Sequence, residues 1–437
     1  MTEPETSTGD DRKRKGESPE PPQPVKRTKS ELLAEKRGKV AAIMAQNEVL
    51  RPEHYSENGL LMVKPYIFVY QAYAKRRWLG RRLVEVFNSE FTPRTPQFIE
   101  ESLNAGRLRV DGEMVTADYV VEDNTIITHA AHRHELGILD QEVEVLHESD
   151  DLLVVNKPPS WPVHPTGRYN FNATNSILRS RYGYDNLRVS HRLDRPTSGL
   201  LIFARNLAAD RRIKAQMRER QVSKQYLAKV SGDFPDGELE CRQPLAIFLH
   251  SLGLARVSET GKEALTRFRL LARKDGASLV AAYPETGRTH QIRVHLQYLG
   301  FPIDNDLFYN SPAFGPERGK GGCYGEGRGE EDVAAAVRLE HAHENFESPY
   351  EPTQEEKASA HYQSWCPQCH RKPHQPTVDQ LQLHLHCHRY KSSDWSFEAS
   401  LPPWAKEMLP SNWEEPPMPE IHSSQSMPFQ AKESAEC

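Results

Sequence analysis

At 437 residues the chain has room for two or three domains of ~100–200 residues, and its 37% hydrophobic content lies below the ~45–50% usual for globular proteins. No run approaches the ~20 apolar residues of a membrane helix, Met1 to Glu5 show no apolar leader, and 6 cysteines are too few for a disulfide scaffold; a soluble intracellular protein without a membrane partner is expected. The net charge of −5 hides an uneven field: residues 179–230 hold 13 Lys and Arg against 4 Asp and Glu, whereas residues 311–360 hold 5 against 11, so any affinity for phosphates belongs to the first stretch.

Residues 1–58 are rich in Pro, Glu, Lys and Ser and are expected to be a disordered tail, with a short helix over 32–44 leading out of it. Two basic clusters in the tail, 12–15 and 26–29, have the spacing of a bipartite nuclear-import signal, which places the protein in the nucleus and/or the cytoplasm. Globular composition begins near Met62. YAKRRWLGRR at 73–82 carries five basic residues around Tyr73 and Trp78, and LNAGRLRVDGEMV at 103–115 reads as a helix end followed by a hairpin turning at Asp111-Gly112. A helix pair followed by a hairpin, with arginines on one side, resembles the small RNA-binding module of the ribosomal S-four type, and residues 62–137 are assigned to it.

A second domain is expected over 142–407. Strands are expected at 143–146, 152–155 and 200–204, then a helix capped by Asn206 and running to about Arg220, with Ala209, Ile213 and Met217 on its inner face. A strand follows with Val222, Tyr226, Ala228 and Val230 on one side, then a strand at 279–282 and a turn at 285–288. A helix from Thr289 to Leu299, stopped by Gly300, places His290, Arg293 and Gln297 on a polar stripe. Strands and helices without a clean βαβ repeat indicate α+β. Residues 312–378 read as a mostly irregular insertion, and residues 408–437 as a disordered tail.

The densest chemical signal is HRLDRPTSGLLIFAR, residues 191–205, where Asp194 sits between two arginines just before a buried strand. A loop carboxylate is usually a turn residue; one kept ionised by its surroundings can act at a sugar's anomeric carbon. The motif resembles the catalytic loop of RluA-type RNA pseudouridine synthases, and three further blocks stand in that family's order: LLVVNKPPSWPVHP at 152–165, SKQYLAKVSG at 223–232 and PETGRTHQIRVHL at 284–296, with a fragment resuming at LHLHCHRY, 383–390. The resemblance implies a mixed, largely antiparallel sheet flanked by helices, and an isomerase that detaches uracil from ribose, rotates it and rejoins it through carbon. No cofactor is needed for that. It implies Asp194 as the essential carboxylate, Tyr226 stacked on the base and Arg293 paired with Asp194. Arg192 would fill the gap left by a flipped uridine, and His191, Arg195, Arg288, Arg211, Arg212, Lys214, Arg218 and Lys224 would contact RNA. The subgroup implies tRNA as substrate, at anticodon-loop position 32, with mRNA as a second candidate. A catalytically idle RNA-binding or chaperone protein of the same fold is the alternative. One departure stands out: where the family has a His-Pro-Ile-x-Gly-Asp turn, this chain reads Phe301-Pro302-Ile303-Asp304-Asn305-Asp306.

Three further features carry less. Cys366-Pro367-Gln368-Cys369 has zinc-knuckle spacing with His361, His370 and His374 nearby, but no second cysteine pair follows, so no metal is expected. His341-Ala342-His343-Glu344 lacks the His-x-Glu of zinc deaminases. The glycine-rich run 319–329 contains no phosphate-binding loop.

Overall fold

The computed structural model describes residues 28–91, 95–341 and 347–418; the basic cluster 12–15, Lys26, Arg27, the His343-Glu344 pair and residues 419–437 lie outside the described residues. The described residues divide into two compact units, one within 28–49 and 69–131 and the other within 50–68 and 132–418.

In the smaller unit the leading helix spans Lys29–Met44, starting three residues earlier than expected. Thr28 is the reason: its side chain accepts from the Glu31 N–H at 3.3 Å, and the Glu31 carboxylate accepts from the Thr28 N–H at 2.7 Å. Residues 29–44 are therefore helical within a stretch expected to be disordered, and Lys36 fixes the helix to Asp111 at 2.6 Å. The helices Leu83–Glu90 and Pro96–Asn104 share a core with Trp78, Leu108 and Ile127 under a three-stranded sheet. Asp111 (φ 53°) and Gly112 (φ 84°) form the expected turn, both in the left-handed region that this dipeptide tolerates. Only Glu113 pairs back across it, and Leu108–Val110 pairs with Ile126–Arg133, so the expected second hairpin strand is absent. Much of the basic stretch is already paired: Arg77 bonds Glu90 and Arg82 bonds Asp118.

The larger unit is built on a ten-stranded mixed sheet. In chain order its main elements are β1 (Glu144–Glu148), β2 (Leu152–Lys157), β3 (Ser198–Ala204), α1 (Leu207–Arg218), β4 (Ser223–Ser231), β5 (Glu238–Cys241), β6 (Thr266–Lys274), β7 (Ala277–Pro284), α2 (Gln291–Tyr298), α3 (Glu330–Glu340) and β8 (Leu385–Lys391). The strands lie side by side as β5-β6-β7-β4-β8-β3-β2-β1, with two short strands, Arg188–Val189 and Ser396–Glu398, paired to β3 and β8. The β3–β8 pair is parallel and the other pairs along this path are antiparallel. This is the mixed, largely antiparallel α+β architecture expected.

The strands expected near 143–146, 152–155, 200–204, 222–230 and 279–282 all form, whereas β5 and β6 lie where none was expected. β3 is buried at every position, which suits its unbroken aliphatic run in mid-sheet. In α1, Asn206 accepts the Ala209 N–H at 2.9 Å, and Ala209 and Ile213 face the core with β3 and β2. β8 lies between β4 and β3, so the motif fragment read as a late continuation is a central strand. Within 312–378, α3 buries Val333, Ala334 and Val337 against Leu254, Tyr309 and Phe314, so this segment is not irregular throughout. Beyond β8, Met408 is buried and a Glu415 carboxylate oxygen lies 2.8 Å from His388 Nε2, so the chain stays packed past the expected start of its tail.

Candidate active site

Asp194 lies on the loop between the Arg188–Val189 strand and β3, and that loop is pinned from beneath. The fully buried Lys157 at the end of β2 donates to the carbonyls of Pro158 (2.8 Å), Trp161 (2.9 Å) and Arg195 (3.2 Å). Burial drives the Lys157 pKa well below its ordinary value, and three carbonyls are the partners such a group needs. The Thr197 N–H donates to the Asp194 carbonyl at 3.1 Å, closing a turn around the carboxylate. His191 accepts the Ile202 N–H through Nε2 at 3.0 Å, and burial pushes its pKa down to about 3, so the ring is neutral and serves as a brace.

Above this loop opens a cleft of about 590 Å³ whose walls include Arg192, Asp194, Arg218, Lys224, Tyr226 and Arg293. The Asp194 side chain keeps 28% of its exposure there, which leaves a carboxylate accessible to a ligand.

Tyr226 reaches the cleft from β4, where the pairing register with β8 shifts at Gln225 and Tyr226. Its hydroxyl lies 2.7 Å from that of Tyr390 on β8. Burial raises both phenols well above 10, so both stay protonated at any ordinary pH. Tyr226 thus presents a neutral ring to the cleft.

Arg293 rises from α2, which begins two residues later than expected. His290 adopts φ 55° as the N-cap, and the first helical residue is Gln291. The expected polar stripe faces inward: Arg293 and Gln297 are both buried, and Gln297 donates to the Tyr309 carbonyl at 3.0 Å. Arg293 forms a two-pronged pair with Asp306, Nε to Oδ2 at 2.7 Å and Nη2 to Oδ1 at 2.8 Å, while its Nη1 lies 3.7 Å from Asp194 Oδ2. Burial alone would raise the Asp306 pKa; the Arg293 charge, its hydrogen bonds and the Tyr309 and Phe308 N–H groups together outweigh it and hold the carboxyl below its ordinary value. His290 Nε2 stands 3.9 Å from Asp194, and burial lowers its pKa despite that carboxylate.

The residues expected to contact RNA separate into groups. Arg192 is exposed at the mouth, and Arg218, Lys224 and Arg288 line the cleft with His191. Arg195 turns to Tyr169, bonding its hydroxyl at 3.1 Å. Arg211, Arg212 and Lys214 sit on the exposed face of α1 outside the cleft; Arg212 pairs with Asp151 at 3.1 Å and Lys214 with Asp210 at 2.8 Å.

Four participants escaped the sequence reading: Lys157, Arg220, Asp306 and Tyr390. Arg220 lines the cleft just past α1. Asp306 ends the departing turn at 301–306, the position at which the family's turn also ends in Asp, so its signal was present but masked by altered neighbours. Tyr390 lies in the resumed fragment, and its part in the site depends on the sheet order.

A family profile described as RNA pseudouridylate synthase matches residues 151–298. Pseudouridylate synthase RPUSD2 of Mus musculus is 34% identical over 411 residues, covering 83% of this chain and 74% of that protein. Two proteins of Saccharomyces cerevisiae are also similar. The tRNA pseudouridine(31) synthase is 31% identical over 402 residues, 81% of this chain and 97% of its own. The mitochondrial tRNA pseudouridine(32) synthase is 39% identical over 271 residues, 61% of this chain and 58% of its own.

Proposed function

The chain belongs to the RluA-type RNA pseudouridylate synthase family, isomerases that convert uridine to pseudouridine in RNA, and from that premise we propose that Asp194 performs the reaction on a uridine of the tRNA anticodon loop, at position 32. The observation that carries this proposal is one cleft in which an accessible Asp194 carboxylate, the neutral Tyr226 ring and the buried Arg293 charge converge.

In this account uridine enters flipped out of its stack, a step costing a few kcal/mol. Arg192 at the mouth occupies the space left behind, and Arg218, Arg220 and Arg288 hold neighbouring phosphates. The uracil lies against Tyr226. Asp194 acts on the ribose, by attack at the anomeric carbon or by removal of the C2′ proton, so that the carbon–nitrogen bond breaks and the base turns to present C5. The C5 proton is lost once the new carbon–carbon bond has formed. Arg293 orients Asp194 through its Nη1, while Asp306 fixes the guanidinium. Likeness to tRNA pseudouridine synthases that act at positions 31 and 32 supports an anticodon-loop uridine, position 32 is the one proposed, and mRNA is the second candidate substrate. The smaller unit, with its helix pair and Asp111-Gly112 turn, is proposed to serve as an RNA-binding cap.

The test is nucleotide-resolved mapping of pseudouridine on bulk tRNA and mRNA from cells lacking the modification, after incubation with the protein. Signal at position 32 of tRNA is expected. Signal at position 31, or on mRNA alone, would reassign the substrate, and no signal on either pool would remove the catalytic assignment.

A further inference from the structure

The cysteine pair at 366 and 369 does not stand alone. His132, the next-to-last residue of the strand Ile126–Arg133, and His134, just after that strand, are two apart and project to one side, where they meet Cys366 and Cys369. The four ligand atoms all lie within 4.8 Å of one another. His134 Nε2 is 3.3 Å from His132 Nδ1, 3.7 Å from Cys366 Sγ and 3.6 Å from Cys369 Sγ, and His132 Nδ1 is 3.5 Å from Cys369 Sγ. A tetrahedron with Zn–N of ~2.05 Å and Zn–S of ~2.3 Å has edges of about 3.3 Å between nitrogens and about 3.6 Å between nitrogen and sulfur. The observed edges match those of a metal-centred tetrahedron.

We infer that His132, His134, Cys366 and Cys369 form a closed structural zinc site. Four protein ligands leave no open position, so the metal would do no chemistry of its own. Two thiolates balance a divalent charge, and a soft tetrahedral set of two sulfurs and two nitrogens selects zinc over magnesium or calcium. The surroundings fit. Cys366 is 3% and His132 7% exposed, and the Trp365 ring meets His132 edge-on at 6.0 Å. The Cys366–Cys369 turn is closed by the Cys369 N–H on the Cys366 carbonyl at 3.1 Å, and the Gln363 N–H points at Cys369 Sγ from 3.5 Å. The histidines that stand near the pair in sequence go elsewhere: His361 to the Pro65 carbonyl and Glu53, and His370 to Tyr362 and the Ser364 carbonyl.

The site joins positions 232 residues apart, tying the 312–378 insertion to the start of the larger unit's second segment at His132. Glu135 follows directly and accepts the N–H groups of Asn170, Phe171 and Asn172 at 2.8, 2.9 and 3.0 Å, so the metal would also steady the turn leading into the helix Thr174–Tyr182.

The full-length chain, purified without chelators and assayed by mass spectrometry for metals, should hold one zinc, released as its thiols are titrated with an organomercurial. Cys366→Ser combined with Cys369→Ser should lose the metal and melt at lower temperature, whereas His134→Cys, which keeps four ligands, should retain it. Cobalt substitution should give the visible bands of a tetrahedral thiolate site. The inference is overturned by a wild-type chain free of zinc whose Cys366 and Cys369 alkylate like exposed thiols. A Cys366–Cys369 disulfide in the isolated protein, or full zinc retention by the double serine variant, would overturn it equally.

Discussion

Arg293 is a buried cation with two carboxylates near it, and the distances decide which one holds it. Asp306 makes the tight two-pronged pair, and Asp194, 3.7 Å from the remaining nitrogen, stays free to meet substrate. Removing one partner of a buried pair leaves an uncompensated charge, which typically costs ~3–5 kcal/mol. Asp306→Asn should therefore lower unfolding stability in urea by about that amount, and a change under ~1 kcal/mol would mean the pair is dispensable. Because Asp306 titrates below its ordinary value, its stabilising contribution is complete above ~3.9, the ordinary aspartate value. It is lost as pH falls through the lower folded value. Lys224 gives the opposite window. Burial brings it down to about 8, so the cleft loses one positive charge as pH rises through that value. RNA affinity should weaken between pH 7 and 9 in the wild type and much less in Lys224→Arg, whose guanidinium stays charged; equal slopes for the two would remove Lys224 from the RNA surface. Asp194, Tyr226 and Arg293 were legible in the sequence because each sits in its own ordered block. Asp306 and Tyr390 were not, since each acts through a partner brought to it by tertiary structure.

At the scale of elements, the joint between β3 and β8 does most to hold the site. Gly199 has φ 106°, and a Cβ there would drive into the Cys387 backbone, 2.7 Å from its nitrogen. Only glycine allows β3 to approach β8 this closely, and β8 carries Tyr390 into its pairing with β4, where it meets Tyr226. Gly199→Ala should lose roughly 3 kcal/mol or more and melt several degrees lower; an unchanged melting curve would show that β8 can shift without cost. Periodicity located β2, β3, α1, β4 and β7 closely because their apolar patterns are long and regular. It misplaced the start of α2, since a left-handed His290 leaves no mark on an otherwise helical pattern. It gave strand-like alternation over 381–397 but no place for β8 in the sheet, because a strand reached after a long insertion carries no local sign of where it will pair.

Across the whole molecule, the uneven charge seen in the sequence becomes a cleft with cationic walls. Cations of the 179–230 stretch divide between that cleft, where Arg192, Arg218, Arg220 and Lys224 lie, and the outer face of α1, where Arg212 and Lys214 are paired with carboxylates. If Arg218, Arg220, Lys224 and Arg288 each neutralise one phosphate, log affinity for a single-stranded loop should fall with log salt at a slope of about −3. Arg218→Ala with Arg220→Ala should flatten that slope by about 1.4, and an unaltered slope would move the phosphate track to another surface. Composition marked residues 1–58 as a tail with a short helix over 32–44 and residues 312–378 as mostly irregular, whereas Lys29–Met44 and Glu330–Glu340 are both full helices. Both are secured by specific contacts, a capping box in one case and three buried side chains in the other, that bulk composition does not register.

The central claim is that Asp194 carries the isomerisation, and the most direct measurement is single-turnover conversion of an anticodon stem-loop by wild type and Asp194→Asn, with RNA affinity measured on the same preparations. Loss of a catalytic carboxylate is expected to slow the reaction by ~10³-fold or more while affinity changes little. Conversion by Asp194→Asn at a rate close to that of wild type would contradict the account and place the chemistry on another residue.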